Sequence, residues 1–500
     1  MPALPLEGAG QRPTRPAVGR RQLDQPPQRP LGRTELRGAE VAAGEQLERG
    51  LVLGVRLDDG LEDAGGLGRL ARLQEQVGAQ VLRVQVVGRR GHAGVNTGPG
   101  DRLPGGRPRR TLAGAMDLAA PVRVRADACP GALQTHAAAD GALARVRLPG
   151  GLVTGGQLQV LATAARELGD GALELTSRGN LQLRGLGPGA DVELADRLIA
   201  AGLLPSPEHD RMRNVLAGAL SGRTAGGSVD ARPWVAAFDA GLRADPLLAE
   251  LPGRFLVTLD DGRGDVAGLG ADVGLLALPS GEVALTLAGA DSGVRVRAED
   301  AVEQALAATR AYRDERAAQG GTAWRLAELR GGADAVLARL GRAAGAGTPL
   351  PDPVEHGPVG AVAQLDGRTA LVAAVPFGRL PVATAELLTG IAELQVTPWR
   401  SIAVPDLDAA QAPALAADLR DAGLVLDPEA PELRVTACTG LPGCAKSLAD
   451  VRADAAAALA AGALPAGGAR QHWAGCERRC GRPRGEVVDV VATLDGYRVG

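Results

Sequence analysis

Four of the five cysteines of this 500-residue chain stand in two short stretches. Cys438 and Cys444 lie in CTGLPGCAKSLAD, residues 438–450, and Cys476 and Cys480 in HWAGCERRCGRP, residues 472–483. Thiolates are soft ligands that select zinc, copper(I) or iron–sulfur clusters. Structural zinc sites separate paired ligands by about two to four residues, which suits Cys476 and Cys480 but not the wider first pair. A cubane takes one thiolate per iron and tolerates varied spacing. Gly440, Pro442 and Gly443 allow a tight turn around such a group, as do Gly475 and Gly481 at the second pair. The run AKSLADVRADAAAALAAG reads as a helix opened by Cys444, whose N-terminal dipole favours an anionic cluster. An iron–sulfur cluster is therefore expected on these four cysteines, with a zinc site or unrelated structural cysteines as the other readings. Cys129, surplus to a cubane, is expected to be structural.

The rest of the composition narrows the class. A net charge of −3 argues against a dedicated nucleic-acid binder. No apolar run reaches roughly 18 residues, so no membrane span is expected, and the N-terminus lacks the apolar core of a signal peptide. Without export the thiols stay reduced, which makes a cytoplasmic protein the expectation. Lys446 is the sole lysine among 55 Lys and Arg residues, so a lone arginine carries little information. Residues 1–115, rich in Gly, Arg and Pro, read as disordered or as outside the native protein, which is expected to begin near Met116.

Helices and strands alternate beyond that point. Thr154 caps a helix-period run that stops at Gly169, and GALELTSRGNLQLRGL alternates as two strands about a turn at Gly179 and Asn180. A helix is expected around residues 191–201 and another near 301–319, with strands at GRFLVTLDDG and DVGLLALPSGEVALTLAG. GTPLPDPVEHGPVG reads as a linker. After it, AVPFGRLPVATAELLTGIAELQVTPWRSIAV echoes RLPGGLVTGGQLQVLATAARELGDGALELTSRGNLQL, pairing Thr176 and Arg178 with Thr397 and Arg400. Two copies of one α+β unit with a cleft between them are expected. No dinucleotide fingerprint opens a βαβ unit, so electrons should come from a separate donor, or from NADH bound without a Rossmann domain.

The spacing C-x5-C then C-x3-C resembles the signature of the sirohaem-dependent sulfite and nitrite reductases, where it holds a [4Fe–4S] cluster beside a tetrapyrrole. LTSRGNLQLRG resembles that family's Thr-x-Arg-x-x-x-Gln element, RVRLPGG its Arg-Leu-Pro-Gly-Gly element and RNVLAGALSGR its Arg-Asn-Val element. The likeness runs over roughly residues 120–500. ADACPGALQTHAAADGALARVRLPGG and VTPWRSI look like the precorrin-3B synthase branch. One departure lies at the second pair, GCERRC, where the family often has Gly-Cys-x-Lys-Gly-Cys; Arg479 replaces a small residue.

The resemblance implies an α+β fold of two ferredoxin-like half-domains in pseudo-two-fold repeat with reductase-type α/β domains. The implied spans are 116–190 and 346–405 for the half-domains, 191–345 for the first reductase-type domain and 406–500 for the cluster-binding one. It also implies an oxygen-dependent conversion of precorrin-3A to precorrin-3B, with a [4Fe–4S] cluster, a second iron or sirohaem, and an external reductant or electron-donor protein. A polycarboxylate of that kind needs forked cations, and Arg147, Arg178 and Arg213 are the expected ones, with Arg145, Arg184 and Arg400 behind them. Asn180 and Gln182 are expected at the ring periphery. His472 and His136 are the candidate catalytic histidines, and Cys480 the candidate bridge to a haem iron. A sirohaem-dependent sulfite or nitrite reductase and a zinc-stabilised binding protein are the alternatives.

Overall fold

The computed structural model describes residues 127–500 and, before them, two strands, β1 (Ala39–Ala43) and β2 (Leu53–Leu57), which pair antiparallel. The expectations for residues 1–115 otherwise lie outside the described residues. Residues 114–500 form one unit.

Thr154 accepts a hydrogen bond from the Gln157 amide, and Gln157 answers with its side chain to the Thr154 amide. This capping box starts helix α1 (Gly155–Leu168), and Gly169 stops it, as the sequence suggests. α1 and α2 (Ala190–Ala200) pack on a sheet of β3 (His136–Ala138), β4 (Gly141–Val146), β6 (Ala172–Leu175) and β7 (Leu181–Leu186). The buried Leu194 and Leu198 join that sheet's core, so the half-domain runs past the expected boundary at residue 190.

The same order of elements recurs in β13 (Gly360–Ala363), β14 (Thr369–Ala374), α6 (Val382–Glu386), β16 (Leu394–Val396), β17 (Ser401–Leu407) and α7 (Gln411–Asp421). The two copies exchange strands. β5 (Leu152–Val153) leaves the first copy to pair with β16, and β15 (Arg379–Pro381) leaves the second to pair with β6. One continuous core results, holding Leu161, Leu173 and Leu181 with Leu380, Ile402 and Val404. The register of β4 on β7 and that of β14 on β17 each slip once, so even a bulge is repeated.

Each copy then runs into a second sheet. The first has β8 (Val215–Ala217), β9 (Val257–Asp260) and β10 (Val273–Ala277) in parallel, with β11 (Glu282–Leu287) and β12 (Ala290–Arg297) antiparallel beside them. Helices α3 (Arg232–Ala244), α4 (Ala301–Ala318) and α5 (Gly332–Arg339) cover it. The second has β18 (Val435–Ala437), β19 (Gln471–Ala474) and β20 (Val488–Thr493) in parallel, β21 (Gly496–Val499) antiparallel, and helix α8 (Val451–Ala460).

α8 begins later than the sequence suggests. Asp450 caps it by accepting from the Ala453 amide, so Cys444 stands in a turn ahead of the helix and not at its N-terminus. A carboxylate one step before the apolar run outcompetes the small residues upstream as a cap.

Candidate functional site

Cys438 directly follows β18: its amide donates to the Trp473 carbonyl on β19 at 2.9 Å. Cys476 follows β19, so two parallel neighbours deliver one cysteine each to the same end of the sheet. The loops are laced together by the Leu448 amide on the Gly475 carbonyl at 2.9 Å and by the Gly475 amide on the Cys438 sulfur at 3.3 Å. A Cβ on Gly475 would strike the Ser447 side chain, and one on Gly440 would meet Val451 at 2.9 Å. Both glycines are required by close approach. Burial pushes the Cys480 thiol up; the charge of Arg478 opposes, while those of Cys438, Cys476 and Cys444 add to the rise. The four thiols thus share one electrostatic neighbourhood, and Cys129 does not join it.

Beside these loops opens a cleft of about 400 Å³. Its walls are the turns before β7 (Ser177, Arg178), β15 (Phe377, Gly378) and β17 (Trp399, Arg400), together with β18 and the residues just past Cys480. Residues 353–357, expected as part of a plain linker, form another wall. The Trp399 indole donates to the Val354 carbonyl at 2.9 Å, and Arg470 pairs with Glu355 at 3.1 Å. Arg325, Arg470 and Arg482 also line or border the cleft and are matched by Asp272, Glu355 and Asp489. Among the described residues no carboxylate pairs with Arg178, Arg400, Arg434 or Arg484.

The expected residues divide. Arg178 lines the cleft; it donates to the carbonyls of Gly253 and Arg254 at 3.1 and 3.0 Å, and burial, then Arg325, lowers it to about 10. Arg400 also lines it, and burial lowers its pKa too, with Arg452 adding to the fall. Arg213 is held by Asp239 through two hydrogen bonds of 2.6 and 3.1 Å, inside the first reductase-type core. Arg147 is buried and spends its donors on the carbonyls of Arg211 and Pro130, tying down the segment around Cys129; burial lowers it to about 9. Asn180 braces the Leu148 amide and Asn214. Gln182 relays Arg145 to Glu174, which ion-pairs with Arg452 of α8 at 2.7 Å. Arg184 forks onto Asp140 and reaches the Gly443 carbonyl at 2.8 Å, linking the first half-domain to the cysteine loop. These last five, Arg213, Arg147, Asn180, Gln182 and Arg184, build the walls behind the cleft and do not line it.

His136 is exposed on β3 and outside the cleft. His472 is fully buried; its Nδ1 shares a hydrogen with Thr436 Oγ1 at 2.9 Å, and the Cys480 backbone also faces the ring. Burial, then Arg400, lowers its pKa to about 4. Cys129 sits where Arg145 and Arg178 pull its pKa down, although burial and Asp127 raise it overall. Composition and spacing did not single out Phe377, Trp399, Arg434 or Arg484.

Residues 136–201 match the nitrite/sulfite reductase ferredoxin-like half domain. A precorrin-3B synthase of Sinorhizobium is 28% identical over 402 residues, 75% of this chain and 82% of that protein. These likenesses fit the nitrite and sulfite reductase superfamily. A ferredoxin–nitrite reductase of Synechococcus elongatus is 33% identical over 127 residues, which span 24% of this chain and only 25% of the reductase. The Mycobacterium tuberculosis NirA protein shares the fold, with a TM-score of 0.57 over 68% of this chain and 69% of that one at 22% identity.

The likeness to nitrite reductases implies iron–sulfur and sirohaem binding in that family, and the donor types here suit a cluster. The four thiols share one electrostatic neighbourhood at one sheet end, Gly475 and Gly440 leave room for the loops to close on each other, and the Gly475 amide points at the Cys438 sulfur. Among the described residues no three Cys, His, Asp or Glu side chains converge at the spacing of a single metal ion. No described helix is long and apolar enough to cross a membrane.

Proposed function

We propose that the chain oxidises precorrin-3A to precorrin-3B, hydroxylating the macrocycle and closing a lactone from a ring acetate. The cleft carries this reading: Arg178, Arg400, Arg434 and Arg484 face it without carboxylate partners, beside the loops of Cys438, Cys444, Cys476 and Cys480. Guanidiniums in that state fork onto the acetate and propionate arms of a tetrapyrrole. The likeness to a precorrin-3B synthase over most of both chains supports the same substrate. One atom of O2 enters the product and the other leaves as water, with two electrons and two protons from an external reductant, either NADH or a reduced carrier protein. A [4Fe–4S] cluster on the four cysteines, with a second iron or sirohaem beside it, supplies single-electron chemistry when bound.

The chain's own residues bind and orient. Arg178 and Arg400, from opposite copies of the repeat, take the substrate's carboxylates, and the buried His472 braces β18 through Thr436. A cytoplasmic protein is part of the proposal, since a thiolate cluster is kept reduced there.

Turnover of precorrin-3A under ¹⁸O₂ with a reductant tests it. Mass spectrometry should find one labelled oxygen in the product, and Arg178→Ala should weaken substrate binding by about 2 kcal/mol. A cluster-replete protein that inserts no oxygen overturns the reading. The nitrite reductase likeness favours a second reading, a sirohaem-dependent reductase, which would instead give sharp macrocycle absorption bands and consume nitrite or sulfite.

A further inference from the structure

The two copies of the repeat differ in a way that points into the cleft. In the first, the Gly179 amide donates to the Thr176 carbonyl and the Asn180 carbonyl accepts from Thr176; in the second, Arg400 and Ser401 do the same with Thr397. Arg400 therefore occupies the place of Gly179, and Trp399 that of Arg178, one residue off the pairing the sequence suggests. Likewise the Gly151 amide on the Leu148 carbonyl matches Gly378 on Val375, which puts Phe377 in the place of Gly150. All four residues have left-handed backbone: φ is 61° at Gly179 and 60° at Arg400, 66° at Gly150 and 53° at Phe377. Glycine adopts this conformation freely and the other two do not.

Phe377 and Arg400 both line the cleft, and the Val375 amide donates to the Arg400 carbonyl, tying their turns together. A Cβ on Gly378 would collide with the Arg400 side chain, so that glycine clears its path. Phe377 packs on the small core that also holds Cys438. Arg400 makes no side-chain hydrogen bond or ion pair among the described residues. Strain retained at such a place belongs to function, because fold alone is satisfied by the glycines of the other copy.

We propose that Phe377 and Arg400 form a clamp for one carboxylate-bearing edge of a flat tetrapyrrole, the ring against the macrocycle and the guanidinium on an acid arm. The clamp rests on the reading above that the cleft takes a tetrapyrrole polycarboxylate. Arg400 is a positioning residue: it sets which edge of the ring turns toward the cysteine loops.

The test uses the full chain, with uroporphyrin I as probe, by fluorescence titration and thermal melting. Arg400→Gly and Arg400→Asn should each weaken uroporphyrin binding by about tenfold or more. Both should melt roughly 2 °C higher than the parent, because each relieves the backbone. Arg400→Lys should keep part of the affinity without the rise in melting temperature. Lower melting of both relieved variants would make Arg400 a structural residue and overturn the clamp, as would unchanged affinity. A parent chain that does not bind uroporphyrin overturns the tetrapyrrole reading itself, and the clamp with it.

Discussion

At the residue scale, strain marks the departures from glycine. Arg479, between two cysteines, has φ of 46°, a left-handed conformation that favours glycine. A left-handed arginine costs about 1 kcal/mol. Its ion pairs, 3.1 Å to Glu477 and 3.3 Å to Asp489, leave the side chain 36% exposed and offset only a few tenths of that, by roughly the usual surface value. Arg479→Gly should therefore stabilise the chain slightly, by roughly half a kcal/mol, read as a higher denaturant midpoint. A lower midpoint would mean that Asp489 depends on the arginine. The cysteine loops were legible in sequence because thiol type and spacing are chemical signatures. Phe377 was not, because its role arises from a turn geometry that only the paired copy reveals.

At the element scale, Arg184 fastens β7 to the cysteine loop through Asp140 and Gly443. The guanidinium is 7% exposed and Asp140 18%, so removing the cation strands a poorly solvated carboxylate. Arg184→Ala should cost about 3 kcal/mol and accelerate bleaching of any bound chromophore in air; unchanged bleaching would uncouple the strand from the loop. Asp265 lies in the loop after β9, which corresponds to the Cys476 loop after β19. Burial raises its pKa to about 6, against the pull of Arg263 and with help from Asp260 and Asp261. The folded state thus holds this proton more tightly than the unfolded state. Its stabilisation is complete below about pH 4 and is lost as pH rises to about 6. Asp265→Asn should flatten that slope and be more stable than the parent at pH 7 by about 1 kcal/mol, measured by denaturation across pH 4–7. A slope that persists in the variant belongs to another group. Among the helices, the Thr154 cap and Gly169 stop were plain in sequence; the start of α8 was not, because Asp450 captured it from Cys444.

For the whole molecule, the repeat governs the site. Two sheets that trade β5 and β15 cannot move far apart without breaking each other's ladders, so the turns they present stay in register across the cleft. Periodicity exposed the repeat but not the exchange, since a two- or three-residue strand carries no pattern of its own. From Val215 to Asp230 and from Val435 to Asp450 the chain runs the same distance, which sets Gly218 and Thr224 against Cys438 and Cys444. The four clustered thiols belong to the second copy, and so do Phe377 and Arg400. The cleft's unmatched guanidiniums predict that polycarboxylate affinity falls with salt. Uroporphyrin binding should weaken at least about threefold between roughly 0.05 and 0.5 M salt, and a salt-independent affinity would exclude the arginines as anchors.

The account stands on four sulfurs sharing one inorganic group at the edge of that cleft. Iron and acid-labile sulfide should be determined, with the visible spectrum, on anaerobically purified parent and Cys476→Ser protein. About four of each per chain, with broad absorption that the variant loses, is the expected result. A colourless parent containing zinc, or a variant that keeps its iron and colour, would contradict it.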